Sequence, residues 1–426
     1  MSAPLEVATT LSTPPVDGQR ASDTVPSDPD ALRWRCGRLA ILGTRGIPAQ
    51  HGGFETFAER LALYMSERGT EVTVYCQIAK GQEQPQRTWR GVRLIDVPVS
   101  RDDAWGTIIF DWKSTRMAAR EGATLLTLGY NTGLFASIPR RKHLANLINM
   151  DGMEWKRRKW RWPERAWLYL NERCACWLGS HLIADHPIIA EHLLSRTRSD
   201  RITVIPYGAD ELVEADPAHL SHLGLQREQY ALVIARPEPE NSVLEIVEAF
   251  SCRPRGIRLI VLGDFRPGMN AYHRQVLEAA SDDVLFPGAI YDARVLAALR
   301  VHCRLYIHGH TVGGTNPSLV EALGAGSAVL AHDNEFNRWV AGGGARYFRD
   351  ADQCDALLTE LLADPDELTQ MRAASRDRHA EQFTWEGVLA AYDALLARFT
   401  AESNRIPARR ASAPEESATL ATSSGA

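Results

Sequence analysis

The chain has 426 residues, 45% of them apolar and 24% charged, with a formal net charge of −5. That length predicts two or more domains of ordinary soluble composition. The charge argues against a dedicated nucleic-acid binder, which carries a basic footprint, and no run reaches the ~18 apolar residues of a membrane-spanning helix.

Residues 1–34 are rich in Pro, Ser, Thr and Asp and carry no hydrophobic period, so they are expected to be a disordered tail, as is 401–426. No basic region followed by an apolar stretch opens the chain, so a cytoplasmic protein is expected. The seven cysteines are scattered and odd in number, which fits free thiols in a reducing compartment rather than a disulfide framework.

The first regular segment, Leu39 to Leu42, reads as a strand. A loop from Thr44 to Gly53 follows, and then Phe57, Ala58, Leu61, Tyr64 and Met65 recur at helical spacing. Gly69 stops that helix and Val72 to Cys76 reads as the next strand, which makes a βαβ unit and implies a parallel sheet. Further strands are expected at 92–97, 125–128, 144–150, 182–184 and 202–206. A second series starts at Tyr230, with strands at 232–235, 259–262, 284–286, 305–307 and 328–331. Helical patterns at 243–250, 272–280, 293–299 and 317–323 separate them.

The expected fold class is therefore α/β, with two Rossmann-like domains facing a central cleft. The first domain spans 35–208 and the second 209–385, and a last helix at 386–400 packs back on the first domain. Ligands of such sheets sit beyond the carboxyl ends of the strands.

Four stretches carry candidate chemistry. In Gly43-Thr-Arg-Gly-Ile-Pro-Ala-Gln-His-Gly-Gly-Phe-Glu55 a strand enters a Gly-rich loop that opens a helix. Glycines allow close backbone approach, and the free N–H groups of a helix N-terminus attract an anion. Arg45 adds a cation, and Gly52, Gly53 and Glu55 line the same turn. The glycine spacing is not the dinucleotide fingerprint. In Ala235-Arg-Pro-Glu-Pro-Glu-Asn241, Arg236 stands at a strand end where its planar fork suits a diphosphate; a surface ion pair with Glu238 is the alternative.

The third stretch runs from Ile307 to Glu321. His308 and His310 precede a loop of Gly313, Gly314, Thr315 and Asn316, and Asn316 and Pro317 start a helix that also carries Ser318. Glu321, one turn in, suits a ribose diol. The fourth, Asn149 to Trp162, places Asp151 and Glu154 at a strand end, where a carboxylate can act as base or orient an acceptor hydroxyl. Its run from Lys156 to Lys159, with Trp155, Trp160, Trp162 and Trp167, suits either anionic lipid head groups or a solvated basic face. His181, His186 and His192 are assigned no role. The candidate carboxylates Glu55, Asp151, Glu154 and Glu321 form no Asp-x-Asp cluster, so no metal and no cofactor are expected.

These residues resemble retaining glycosyltransferase family 4, with its two-domain GT-B fold, over about 39–399. The strings Gly43-Thr-Arg-Gly-Ile-Pro-Ala, His51-Gly-Gly-Phe-Glu-Thr-Phe57, Met150-Asp-Gly-Met-Glu-Trp155, Ile205-Pro-Tyr-Gly208 and Gly313-Gly-Thr-Asn-Pro-Ser-Leu319 look like its bacterial rhamnosyltransferase-like subgroup. The resemblance implies that Gly52 and Gly53 contact donor phosphate and acceptor, Arg236 binds the diphosphate and Glu321 binds the ribose. It also implies that the loop around Thr315 and Asn316 offers amides to the phosphates and sugar.

Two positions depart from the family. Its first glutamate falls on Gly313, and the lysine five places after the phosphate arginine falls on Asn241, with Arg45 as the replacement cation. The expected partners are a nucleotide-diphosphate sugar, a glycan or lipid-linked acceptor and, peripherally, the anionic inner face of the plasma membrane, with no nucleic acid. A nucleotide-sugar epimerase and a non-catalytic nucleotide-sugar scaffold are the rival readings.

Overall fold

The computed structural model describes residues 37–403, and side chains as far as 399, except positions 50, 51, 83, 85, 86, 102, 158 and 159. The expected tail 1–34 lies outside these residues. So do His51, Arg158, Lys159 and all of the 401–426 tail beyond Ser403, whose first three positions continue the last helix.

The first series forms β1 (Arg38–Leu42), α1 (Gly53–Glu67), β2 (Glu71–Ala79), β3 (Arg87–Trp89), β4 (Val92–Val99), α2 (Ala104–Glu121), β5 (Thr124–Leu128), α3 (Ser137–Arg141), β6 (Asn146–Asn149), α4 (Trp162–Leu178), β7 (His181–Ala184), α5 (Pro187–Leu194) and β8 (Ile202–Val204). The second forms β9 (Tyr230–Ile234), α6 (Val243–Ser251), β10 (Arg258–Leu262), α7 (Ala271–Glu278), β11 (Val284–Gly288), α8 (Ala293–His302), β12 (Leu305–His308), α9 (Pro317–Gly324), β13 (Val329–His332), α10 (Glu335–Ala341) and β14 (Arg346–Phe348). Helices α11 (Ala351–Ala363), α12 (Pro365–Gln382) and α13 (Trp385–Ser403) close the chain.

The strands make two sheets, in the orders β3-β4-β2-β1-β5-β6-β7-β8 and β11-β10-β9-β12-β13-β14. All pairs are parallel except β3–β4. Parallel strands covered on both faces need apolar side chains on both, and Leu39, Ala40, Ile41 and Leu42 are accordingly all buried. In each sheet the chain order reverses at one place, between β1 and β5 and between β9 and β12, and crevices open there.

One face of the first sheet, with Leu39, Ile41, Leu147 and Ile183, is covered by α1 and by α13. Helix α13 follows the second sheet but returns to the first: Trp385, Val388, Tyr392, Leu395 and Leu396 are buried there, and Phe57 of α1 lies 4.7 Å from the Tyr392 ring. The other face, with Ala40, Leu42, Ile148 and Leu182, is covered by α2 and α4.

Candidate active site

The N-termini of α1 and α9 meet. A Cβ on Gly53 would lie 3.1 Å from Cγ of Pro317, and 3.6 Å from the Tyr207 ring. Each helix leaves N–H groups unpaired in its first turn and carries a partial positive charge there, so the junction favours an anion. Gly52, the residue before α1, has φ 91°, a conformation that glycine adopts without strain. Its carbonyl accepts from the Thr56 N–H and hydroxyl, and Glu55 folds close beneath it.

Glu321 lies one turn into α9 and is paired with Arg300 of α8, a buried guanidinium. The Glu321 side chain keeps 35% of its surface exposed. Its carboxylate is thus held from one side and partly open on the other. It also sits near the Tyr207 phenol, whose pKa is raised by burial first and by the Glu321 charge second.

Arg236 follows β9. It is exposed and forms no ion pair among the described residues, Glu238 included. Its carbonyl is held by Asn241 Nδ2 at 2.8 Å. Asn241 stands where the resembling family has a lysine; it is buried and spent on that brace. Arg45, exposed on the loop after β1, borders two cavities.

His310 is partly exposed, and its pKa is pushed down to about 3 by burial and then by Arg236 and Arg157. His308 was expected in the site but is only 1% exposed. It stacks on His310 at 4.3 Å, so it lies buried beneath that ring rather than on the open surface. Ser318 is also turned inward, its Oγ buried beside the Tyr306 phenol.

The glycine loop of the second domain is pressed against two strand ends of the first. Gly313 has φ 151°, and a Cβ on Gly152 would approach its carbonyl carbon to 3.6 Å. Gly314 leaves no room for a side chain, since a Cβ would lie 2.3 Å from both carboxylate oxygens of Asp185. Thr315 donates its N–H to Asp185 Oδ2 at 2.8 Å and its hydroxyl to the Asp185 carbonyl. The Thr315 amide, expected to face donor phosphate, is therefore already occupied in this state. Asn316 precedes α9 without a side-chain cap and stays partly exposed.

Asp151 has φ 48°, and its N–H donates to Asn149 Oδ1 at 2.9 Å. Asn149 Nδ2 in turn donates to the Tyr392 hydroxyl at 2.9 Å, so the returning helix α13 supports this turn from behind. Glu154, expected in the site, is buried and paired with Arg157 at 2.6 Å. Arg157 crosses to Glu240 of the second domain at 3.1 Å. Trp155 and Trp160 are drawn in with them, through Nε1 bonds to Glu172 at 2.7 Å and to Glu154 at 3.4 Å.

Two functional candidates escaped the sequence reading. Asp185 ends β7, and burial followed by the charge of Asp151 pushes its pKa up to about 8. The criterion that selected Asp151, a carboxylate at a strand's carboxyl end, applies equally to Asp185. Asp111, on the unforeseen helix α2, accepts from the Thr132 hydroxyl at 2.9 Å, and burial raises it to about 7.

A cavity of about 310 Å³ lies at the reversal between β1 and β5, lined by Arg45, Gly53, Glu55, Asp111, Asn131 and Thr132. A larger cleft of about 830 Å³, lined by Lys156 and Arg157 from one side and Glu240, Thr311 and His332 from the other, separates the domains beyond β12 and β13. Among the described residues, no group of three or more His, Cys, Asp and Glu could hold a metal ion, and no helix is long and apolar enough to cross a membrane.

Comparison with known proteins bears on the fold. Residues 37–210 match a domain of unknown function, DUF1972, and residues 245–394 match a family described as glycosyl transferase-like. No curated protein sequence matches. Among solved structures, sucrose-phosphate synthase from Thermosynechococcus elongatus superposes with a TM-score of 0.74 at 17% identity, over 86% of this chain and 100% of that one. HepE of Anabaena, in complex with UDP and glucose, gives 0.67 at 16% identity, over 85% and 100%. An α,α-trehalose-phosphate synthase from Burkholderia xenovorans, in complex with glucose-6-phosphate, gives 0.64 at 14% identity, over 85% and 100%. The chain has the GT-B fold, and its residues 245–394 are similar to a glycosyl transferase-like family.

Proposed function

We propose that the protein is a retaining glycosyltransferase related to family 4 and its rhamnosyltransferase-like subgroup. It moves a hexose, with rhamnose as a candidate, from a nucleotide-diphosphate sugar to a hydroxyl of a cell-surface or lipid-linked glycan at the inner face of the plasma membrane. The observation that carries this reading is the meeting of the α1 and α9 N-termini at Gly53 and Pro317, with the Arg300-aimed Glu321 one turn into α9 and Arg236 near enough to His310, on the loop that leads into α9, to depress its pKa. Such a junction neutralises a diphosphate with N–H dipoles and guanidinium groups, and we infer no need for a metal or cofactor. HepE is in complex with UDP and glucose and the trehalose-phosphate synthase with glucose-6-phosphate, which is the same ligand chemistry.

In this mechanism the bond between the sugar C1 and the β-phosphate oxygen breaks, and its electron pair leaves with the diphosphate. The acceptor oxygen bonds to C1 from the same face and its proton passes to the departing phosphate. Residues 209–385 hold the donor and 35–208 the acceptor, in the cavity beside Asp111. Asp151, held by Asn149, orients the acceptor hydroxyl. Arg236 and the helix ends stabilise the charge that develops on the diphosphate.

A panel of UDP-, dTDP- and GDP-sugars with a lipid extract as acceptor tests this, with the anomeric configuration of the product read by NMR. Transfer from one donor with retained configuration supports the reading. Epimerised donor without acceptor consumption would replace it with an epimerase, and tight nucleotide binding without turnover would replace it with a scaffold.

A further inference from the structure

Helices α2 and α4 lie side by side over one face of the first sheet, and the turn Gly133–Ala136 fills the space between them. Trp167 Nε1 donates to the Asn131 carbonyl at 3.0 Å, the Leu134 N–H donates to Asn171 Oδ1 at 3.0 Å, and Thr132 is bonded to Asp111. The three pieces form one continuous outer surface.

That surface is apolar where solvent would normally select polar residues. Helix α2 turns Phe110 and Ala118 inward and presents Trp105, Ile109 and Trp112, at helical spacing, to the outside. Helix α4 presents Trp167, Leu170 and Trp177, with Trp162 at its start and Leu134 of the turn between the helices. Trp105, Trp162 and Trp177 are 63%, 80% and 67% exposed, far more than isolated surface tryptophans require.

The charge around these side chains is predominantly positive. Segments 104–121, 137–142 and 161–178 hold nine Lys and Arg residues against four acids. Asp111 and Glu172 are spent inward and Glu121 pairs with Arg93, which leaves Glu164 as the exposed acid. Arg116, Arg120, Arg140, Arg141, Arg161 and Arg165 are exposed. Asp103, which caps α2, is paired with Arg101.

We propose that this α2–α4 face docks on an anionic phospholipid bilayer, with the tryptophans at the head-group level and the cations against the lipid phosphates. A second copy seated on the same face would oppose cation to cation, which disfavours that occupant. Of the expected membrane stretch 155–167, this face keeps Trp162 and Trp167 and leaves out Trp155, Lys156, Arg157 and Trp160. Trp155, Arg157 and Trp160 are held by Glu172, Glu154 and Glu240, and Lys156 lines the interdomain cleft. The same docking also joins two features, because Thr107, Asp111, Asn131 and Thr132 border both this face and the cavity of about 310 Å³. If the acceptor is lipid-linked, as proposed above, a head group held in the bilayer reaches that cavity without leaving the membrane.

The test is sedimentation of the full chain with equimolar phosphatidylglycerol–phosphatidylcholine vesicles and with phosphatidylcholine alone, without donor or acceptor. The wild type is expected to pellet with the anionic vesicles and to be released at about 0.5 M salt. The triple variant Trp105→Ser, Trp112→Ser, Trp177→Ser is expected to bind roughly tenfold more weakly while keeping the wild-type melting temperature. Arg116→Gln, Arg120→Gln, Arg141→Gln should lose the preference for anionic lipid. Wild-type binding by the tryptophan variant, no wild-type binding, or a dimer that the variant converts to monomer would overturn the proposal. Because the readout uses no transfer, a failure of the glycosyltransferase reading leaves it unchanged.

Discussion

The carboxylate of Asp185, at the end of β7, accepts the backbone N–H of Thr315 at 2.8 Å, clamping the glycine loop of the second sheet to a strand of the first. Its other oxygen, Oδ1, is buried without a hydrogen bond among the described residues, and Gly314 lies directly against it. Removing the side chain in Asp185→Ala leaves the Thr315 amide unpaired, at a cost of about 1–3 kcal/mol. The expected outcome is a melting temperature lower by several degrees and nucleotide release reduced by more than about tenfold. Gly314→Ala should reduce release similarly, because its Cβ would overlap the same carboxylate.

The raised pKa of Asp185 sets a pH dependence. The native state holds this proton up to about pH 8, whereas an unfolded aspartate releases it near the ordinary value of 3.8. Stability from this group is therefore full below about pH 4 and is lost as pH rises through the native pKa. Asp111, raised to about 7, acts in the same direction. Melting temperatures measured from pH 5 to pH 8.5 should fall more steeply for the wild type than for Asp185→Asn. Equal slopes would show that Asp185 is ionised across this range.

Glu321 is aimed by Arg300 rather than by solvent, so its replacement separates binding from folding. Glu321→Gln keeps the volume and one hydrogen bond to Arg300. The expected result is a melting temperature within a few degrees of wild type and nucleotide affinity weaker by about tenfold, since hydrogen bonds to a charged group contribute about 1.5–3 kcal/mol. Calorimetric titration with UDP, dTDP and GDP checks this.

Tyr392 is bonded to Asn149, which in turn holds the Asp151 N–H, and its phenol also lies within the field of Asp185. Tyr392→Phe preserves the packing on Phe57 and removes one buried hydrogen bond, so about 1 kcal/mol of stability should be lost. If Asp151 orients the acceptor, kcat falls while the KM for the donor stays constant. A change confined to melting temperature would make the chain of bonds purely structural.

Most of the parallel sheet was legible in the sequence, because strands buried on both faces are short apolar runs and stand out between helical periods. The edge strands β3 and β14 did not stand out: Arg87–Trp89 and Arg346–Phe348 are three residues long and only partly buried. Helices α2 and α4 were missed for a related reason. Their outer faces carry Trp, Ile and Leu where the helical pattern expects polar residues, so the amphipathic period is blurred. Of the site, Arg236, Glu321 and the two glycine loops were marked by residue type and position at strand ends. The inward turn of His308, the pairing of Glu154 with Arg157 and the use of Thr315 by Asp185 are tertiary facts that no local pattern encodes.

The most direct test of the central claim is acceptor-dependent nucleotide release in EDTA, with wild type, Arg236→Ala and Glu321→Gln compared on the preferred donor. Release by the wild type is expected to require acceptor, to survive EDTA and to fall at least about a hundredfold in Arg236→Ala, where a guanidinium on the leaving diphosphate is lost. Undiminished release by both variants would contradict the central claim, because the diphosphate would then leave from somewhere other than the meeting point of α1 and α9.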